Sequence, residues 1–159
     1  MGIHIYCKSS FLKIDYSSSY TYYNELREYI MTVFINFLSD WLNNNTFIEG
    51  ESFEFYLHKN LLKLIIEFNN LKNPDIDEYI NILKNYTNEL SCFGFNGIVA
   101  FIWKQDCEAY WSVGNAVDIN YLFEQINDYI INESHLISIY TLKLVLDYSI
   151  KHNEPICIA

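Results

Sequence analysis

The run YYNELREYIMTVFINFLSDWLN, residues 22–43, goes furthest toward settling the fold. Its apolar residues Leu26, Ile30, Val33, Phe34, Phe37, Leu38 and Trp41 recur three or four positions apart, which predicts an amphipathic helix with one buried stripe. The serine run Ser17-Ser18-Ser19 and Thr21 supply N-cap candidates just before it. Upstream, Ile3, Ile5 and Cys7 alternate across residues 2–8, and residues 11–16 form a second short segment beyond Ser9-Ser10. Together they predict a β-hairpin leading into the helix.

Downstream the helical pattern continues. Asn43-Asn44-Asn45 ends the first helix, and residues 52–72 carry Leu57, Leu61, Leu64, Ile65, Phe68 and Leu71 on a second stripe. Asn73-Pro74-Asp75 offers an N-cap, a proline for the first helical position and acids for the first turn. It opens a helix expected to carry Ile76, Tyr79, Ile80, Leu83, Tyr86 and Leu90. Residues 98–103 then form a continuous apolar run that fits a buried strand, a helical turn being the other form such a run takes. Asn115 with Asp118 resembles a capping box for a helix with Ile119, Leu122, Phe123, Ile126 and Ile130 inward. The last helix, about residues 136–151, is apolar on nearly every side and is expected to be central. Pro155 stops it, and Ile156-Cys157-Ile158 fits a strand beside the opening hairpin. The expected architecture is therefore α+β and helix-rich. About five helices pack on a small sheet formed by the N-terminal hairpin, a middle strand and the C-terminal strand, in one domain spanning 1–159.

Composition narrows the function classes. The chain has 159 residues, 51% of them apolar, so a substantial core forms without a disulfide or metal staple. It carries 20 Asp and Glu against 10 Lys and Arg, a formal charge of −10, which argues against direct nucleic-acid binding through phosphate neutralisation. The abundance of Asn, Ile and Tyr fits an AT-rich genome of bacterial, phage or large viral origin. Such a genome would also supply lysine codons freely, yet only nine lysines are present, so the acidity is less readily ascribed to base composition than the Asn, Ile and Tyr content is.

The acidity is also regional. Residues 28–58 hold five acids and no base, and residues 105–142 hold six acids and no base. If the two stretches share a face, that face steers a basic partner and competes with nucleic acid for it.

Chemistry-bearing motifs are sparse. His4, His58, His135 and His152 show no metal-ligand spacing, and the sequence has no Gly-rich phosphate loop and no G-x-S-x-G elbow, so neither metal nor cofactor is expected. The four cysteines are spread without a C-x-x-C pair, which fits free thiols in a bacterial cytoplasm. No secretory signal or membrane-spanning run is expected either.

The segment around Asp106-Cys107-Glu108 carries the remaining signal. Two flanking acids disfavour a Cys107 thiolate, which weakens a nucleophile reading. The plainer reading leaves Cys107 and the tryptophans partly buried with Asp106 and Glu108 facing water; the functional reading is an acidic, aromatic edge for protein binding, with Glu108, Tyr110, Trp111, Asp118, Glu124 and Asp128 as contacts. The expected function is a non-catalytic acidic inhibitor, of phage anti-defence or toxin-immunity type, that covers the basic surface of a nuclease or similar protein. The alternatives are a small hydrolase assembled from Asp106, Glu108 and His135, and a homodimer joined through surplus aromatic surface.

Short motifs also resemble a group of small uncharacterised bacterial cytosolic proteins. They are the Met1-Gly2-Ile3-His4-Ile5 opening, Asp15-Tyr16, Tyr23 to Arg27, Asp106-Cys107-Glu108 and Pro155-Ile156-Cys157-Ile158. The chain departs from that group at Lys104-Gln105, where the group has His-Ser, and at Ala109, where it has Gly. The resemblance implies an α+β fold and no activity.

Overall fold

The protein is described by a computed structural model that covers residues 2–10, 13–45, 53–103 and 110–159. In chain order these form β1 (Gly2–Tyr6), β2 (Asp15–Ser19), α1 (Tyr20–Asn44), α2 (Phe53–Asn69), α3 (Ile76–Lys84) and α4 (Thr87–Cys92). There follow α5 (Asn96–Ile102), β3 (Tyr110–Trp111), α6 (Val113–Ile126), α7 (Glu133–His152) and β4 (Ile156–Ile158). Short 3₁₀ turns occupy Lys8–Ser10 and Asn127–Tyr129. The fold is α+β and helix-rich, but the described residues hold seven α-helices rather than about five.

Two causes account for the additional helices. The helix expected to run through Leu90 breaks at Asn85 and Tyr86, where Tyr86 leaves helical geometry at φ −126° and buries its ring, giving α3 and α4. The apolar run at Ile98–Trp103 is helix α5 instead of a strand. Its residues Ile98, Ala100, Phe101 and Ile102 are all buried, so it has no polar face to reveal a period. Gly97 lets α5 pack directly on α6. A Cβ built there would lie 2.2 Å from the Asp118 carbonyl oxygen and 2.7 Å from the Leu122 Cβ.

The sheet is antiparallel in the order β2-β1-β4-β3, so the first and last strands lie side by side as expected. The middle strand is Tyr110–Trp111. The second hairpin strand begins at Asp15 and continues through the serine run; within the expected segment 11–16, Asp15 and Tyr16 are in the strand, Lys13 and Ile14 precede it, and residues 11 and 12 lie outside the described residues. Alternation along the strands places Ile3, Ile5, Tyr16, Trp111 and Ile156 on the buried face. His4, Tyr6, Asp15, Cys157 and Tyr110 occupy the opposite face.

Helix starts follow local chemistry, at two helices two or three positions away from the expected one. The Ser19 side chain accepts from the Tyr22 amide to cap α1. Asp75, not Asn73, caps α3, because Asn73 adopts φ 46° and stands outside the helix. Ser112 caps α6, with Asn115 as the third helical residue returning a bond to the Ser112 amide, so the capping box is shifted from Asn115/Asp118 to Ser112/Asn115.

The central helix is α1. It buries Tyr23, Leu26, Arg27, Ile30, Met31, Val33, Phe34, Ile35 and Leu38, a stripe wider than the sequence spacing suggests. Arg27, the chain's single arginine, is buried. It donates to the Ile102 carbonyl at the end of α5 and to Asn24 Oδ1 at 3.1 Å. A cation there meets the negative end of α5 and ties it to α1. By contrast α7 is peripheral, and it leaves Ile137, Tyr140 and Leu144 exposed where a central helix was expected. Among the described residues no helix is long and apolar enough to cross a membrane.

Candidate functional site

The two base-free stretches meet along α1. The Tyr129 hydroxyl, in the turn after α6, donates to Asp40 Oδ2 on α1 at 2.7 Å. That bond, with the Asp40 and Asp128 charges beside it, raises the Tyr129 pKa, and burial adds to the shift. Asp40 and Asp128 are both exposed. Further along α1, burial raises the Glu28 pKa, and the negative charges of Asp75 and Glu25 push it in the same direction. Carboxylates of α1 and of the α6–α7 connection thus act together on Tyr129, whereas Glu28 is influenced from its own helix and from the start of α3.

The α6–α7 hairpin carries the rest of this surface. Val117, Tyr121 and Glu124 fall three or four residues apart on α6, and all three are exposed. Asp128 follows Glu124 at the same interval, in the turn. On α7 the exposed residues Glu133, Ile137, Tyr140, Leu144 and Asp147 follow the same rule. Asn120 Nδ2 donates to Asp147 Oδ1 at 3.3 Å, joining the two helices at the surface. The hairpin is seated on α1 through Tyr29, whose hydroxyl accepts from the amides of Ile131 and Asn132 at 3.1 and 3.2 Å.

The sequence-predicted contact residues divide between several places. Glu124 and Asp128 lie together on the outer face of the hairpin. Tyr110 is half-exposed on the outer face of the edge strand β3. Trp111 corrects the expectation: it is fully buried (0% exposed), because a strand turns consecutive side chains to opposite faces and Trp111 pairs with the inward Ile156. Asp118 is partly buried and turns toward α5, lining a cleft of about 400 Å³ with Asn88, Asn96, Asn115 and Trp103. Glu108, with Asp106 and Cys107, lies outside the described residues.

Of the acid/base candidates, His135 alone lies among the described residues. His135 sits in the seam between α1 and α7, stacked on Tyr29 with ring centroids 4.7 Å apart and tilted on Tyr22 at 5.6 Å. Its Nδ1 is buried without a hydrogen-bond partner. Burial lowers its pKa, with Glu25 opposing the shift, so the imidazole is neutral near pH 7. Cys7 is equally unsuited to attack, since burial, helped by Glu154 and Cys157, pushes its thiol up to about 11.

One polar pair went unnoticed in the sequence. His4 Nε2 lies 2.7 Å from Asp15 Oδ2 on the outer face of the sheet. Ser17 Oγ donates to the same carboxylate oxygen at 3.4 Å, so Asp15 receives both groups and the imidazole is not aimed at the hydroxyl. Only the hairpin register, which sets Asp15 opposite Tyr6 and Ser17 opposite His4, could have revealed the cluster.

Among the described residues no group of three or more His, Cys, Asp or Glu side chains could hold a metal ion. A second hollow, of about 540 Å³, lies beside Lys8, Tyr110, Glu154, Pro155 and Cys157. Comparison with family models, with curated proteins and with solved structures returns no match to this chain.

Proposed function

We propose that this chain is a non-catalytic acidic binding protein that inhibits its target by covering a basic surface, as a phage anti-defence or toxin-immunity protein does. The target class is a nuclease or another protein that handles nucleic acid, because such proteins expose the cationic surface that an array of carboxylates can occupy. The observation that carries this reading is the Tyr129–Asp40 bond, which brings an exposed carboxylate of the first base-free stretch close to Asp128 of the second. Burial of Arg27 strengthens the imbalance, since it withdraws the only guanidinium from the surface. Glu124 and Asp128 stand on the outer face of the hairpin with Tyr121 beside them, supplying charge for steering and an aromatic ring for anchoring.

The test is affinity capture from a bacterial host with the wild-type chain and with an E124K/D128K variant, followed by a nuclease assay on the captured protein. Wild type is expected to recover a basic protein and suppress its activity. The charge-reversed variant is expected to bind about tenfold or more weakly, mostly through slower association. Equal recovery and equal inhibition by the two forms would sink the acidic-edge reading.

A further inference from the structure

We infer that the outer face of the α6–α7 hairpin seats an amphipathic helix whose apolar stripe is bordered by Lys and Arg. The inference rests on the acidic-binding reading for its charge half, while its apolar half stands on separate observations. Ile137, Tyr140 and Leu144 are 66%, 56% and 59% exposed, and they lie at the i, i+3, i+7 positions that form one stripe on a helix. On the adjoining helix Tyr121 and Val117 are 51% and 47% exposed one turn apart. Isolated exposed apolar residues are ordinary, but two neighbouring helices that both leave such rows bare form a patch of the kind that marks an interaction surface. Parallel rows on paired helices make a shallow groove, the seat a third helix occupies when it buries its own stripe.

The charges bordering the groove select the occupant. Glu124 and Asp128 stand on the α6 side, with Glu133 and Asp147 on α7, against Lys143 and Lys151. A second copy of this chain would bring the same excess of carboxylates onto itself, and like charges across an interface are repelled. A helix with Lys or Arg on both margins of its apolar stripe satisfies the rows and the acids together. Helix α2 also exposes Phe53, Tyr56, Leu62 and Ile66, but its exposed charges balance, Glu54 and Glu67 against Lys59 and Lys63, so it lacks the acidic excess of the α6–α7 hairpin.

The test uses the full chain and three labelled peptides of about 18 residues, long enough to become helical on binding. The first has a leucine stripe bordered by lysines, the second the same composition with the stripe scrambled, and the third the stripe bordered by glutamates. Fluorescence anisotropy is expected to show the first binding at least tenfold tighter than either control. NMR shifts in the wild-type chain should be confined to α6, α7 and the turn between them, and an I137S/L144S variant should bind the first peptide at least tenfold more weakly. The NMR map needs no variant and so stands even if the serine variant folds poorly. Equal binding of the first and second peptides would overturn the helix seat while leaving the acidic edge intact. Equal binding of the first and third would overturn the charge selection and count against the acidic reading too. Shifts centred elsewhere, or a wild-type dimer that I137S/L144S converts to monomer, would also overturn the proposal.

Discussion

The two longest helices, α1 with 25 residues and α7 with 20, are built from similarly apolar sequence, yet one is the centre of the molecule and the other forms part of its rim. Helix α1 is packed by β1 and β2, by α2, α3, α5 and α6, and by the turn after α6, and it buries even its arginine. Helix α7 packs on the sheet and α6 with one side and presents Ile137, Tyr140 and Leu144 on the other. Mean hydropathy therefore does not rank helices by burial here. What distinguishes them is what their neighbours cover, and an apolar face that nothing covers is a feature to be explained by function rather than by folding.

The largest effect is expected at α1. Phe34 is fully buried and meets Phe95 edge-on, with ring centroids 5.7 Å apart. Phe34→Ala is expected to cost about 3–5 kcal/mol in urea unfolding, from lost burial and the cavity left behind. A cost below about 1 kcal/mol would mean that α1 is not the core. Arg27→Ala should follow at about 2–3 kcal/mol, because it removes a charged donor from the Ile102 carbonyl and leaves that carbonyl buried. Arg27→Lys is expected to recover only part of the loss, since an ammonium lacks the planar fork that reaches Ile102 and Asn24 together.

The sequence makes part of this arrangement legible. The wide three-and-four spacing of α1 and the strict alternation of Ile3, Ile5 and Cys7 give the helix and the first strand directly, and Ile156-Cys157-Ile158 identifies the last strand. The two-residue strand Tyr110–Trp111 is too short to show a period, and α5 hides its period because it is buried on most sides. The exposure of α7 is illegible for a related reason: apolar residues on every side leave no polar face to point outward. At the candidate site, Glu124 and Asp128 are recognisable as one-turn neighbours. The link between Asp40 and Tyr129 is not, because 89 residues separate them and only the tertiary fold joins them.

Smaller effects come from pH. His58 is buried against Trp41 and Phe93, and burial lowers its pKa although Glu54 pulls the other way. A histidine whose folded pKa lies below its unfolded value of about 6.5 binds its proton more readily in the unfolded chain. It therefore costs no stability above about pH 6.5 and destabilises the fold as pH falls below that value. His135 acts with the same sign. Thermal unfolding of His58→Phe is expected to lose less stability than wild type between about pH 6.5 and pH 5. Parallel curves for the two proteins would remove His58 as a cause.

The smallest effect is expected at the rim. Leu144→Ser should change stability by no more than about 0.5 kcal/mol in urea, against several for Phe34→Ala, because its side chain leaves little water-free surface to lose. A loss of about 2 kcal/mol or more would show that α7 is covered in solution and that its outer face belongs to the fold.

The proposed role of Asp40, Glu124 and Asp128 is to hold a basic partner. Its most direct test is the salt dependence of affinity between the wild-type chain and the protein it captures, measured beside E124K/D128K. Affinity for wild type is expected to fall by about tenfold or more between about 0.05 and 0.2 M salt, with a shallower slope for the variant. A flat salt profile shared by both proteins would contradict that role.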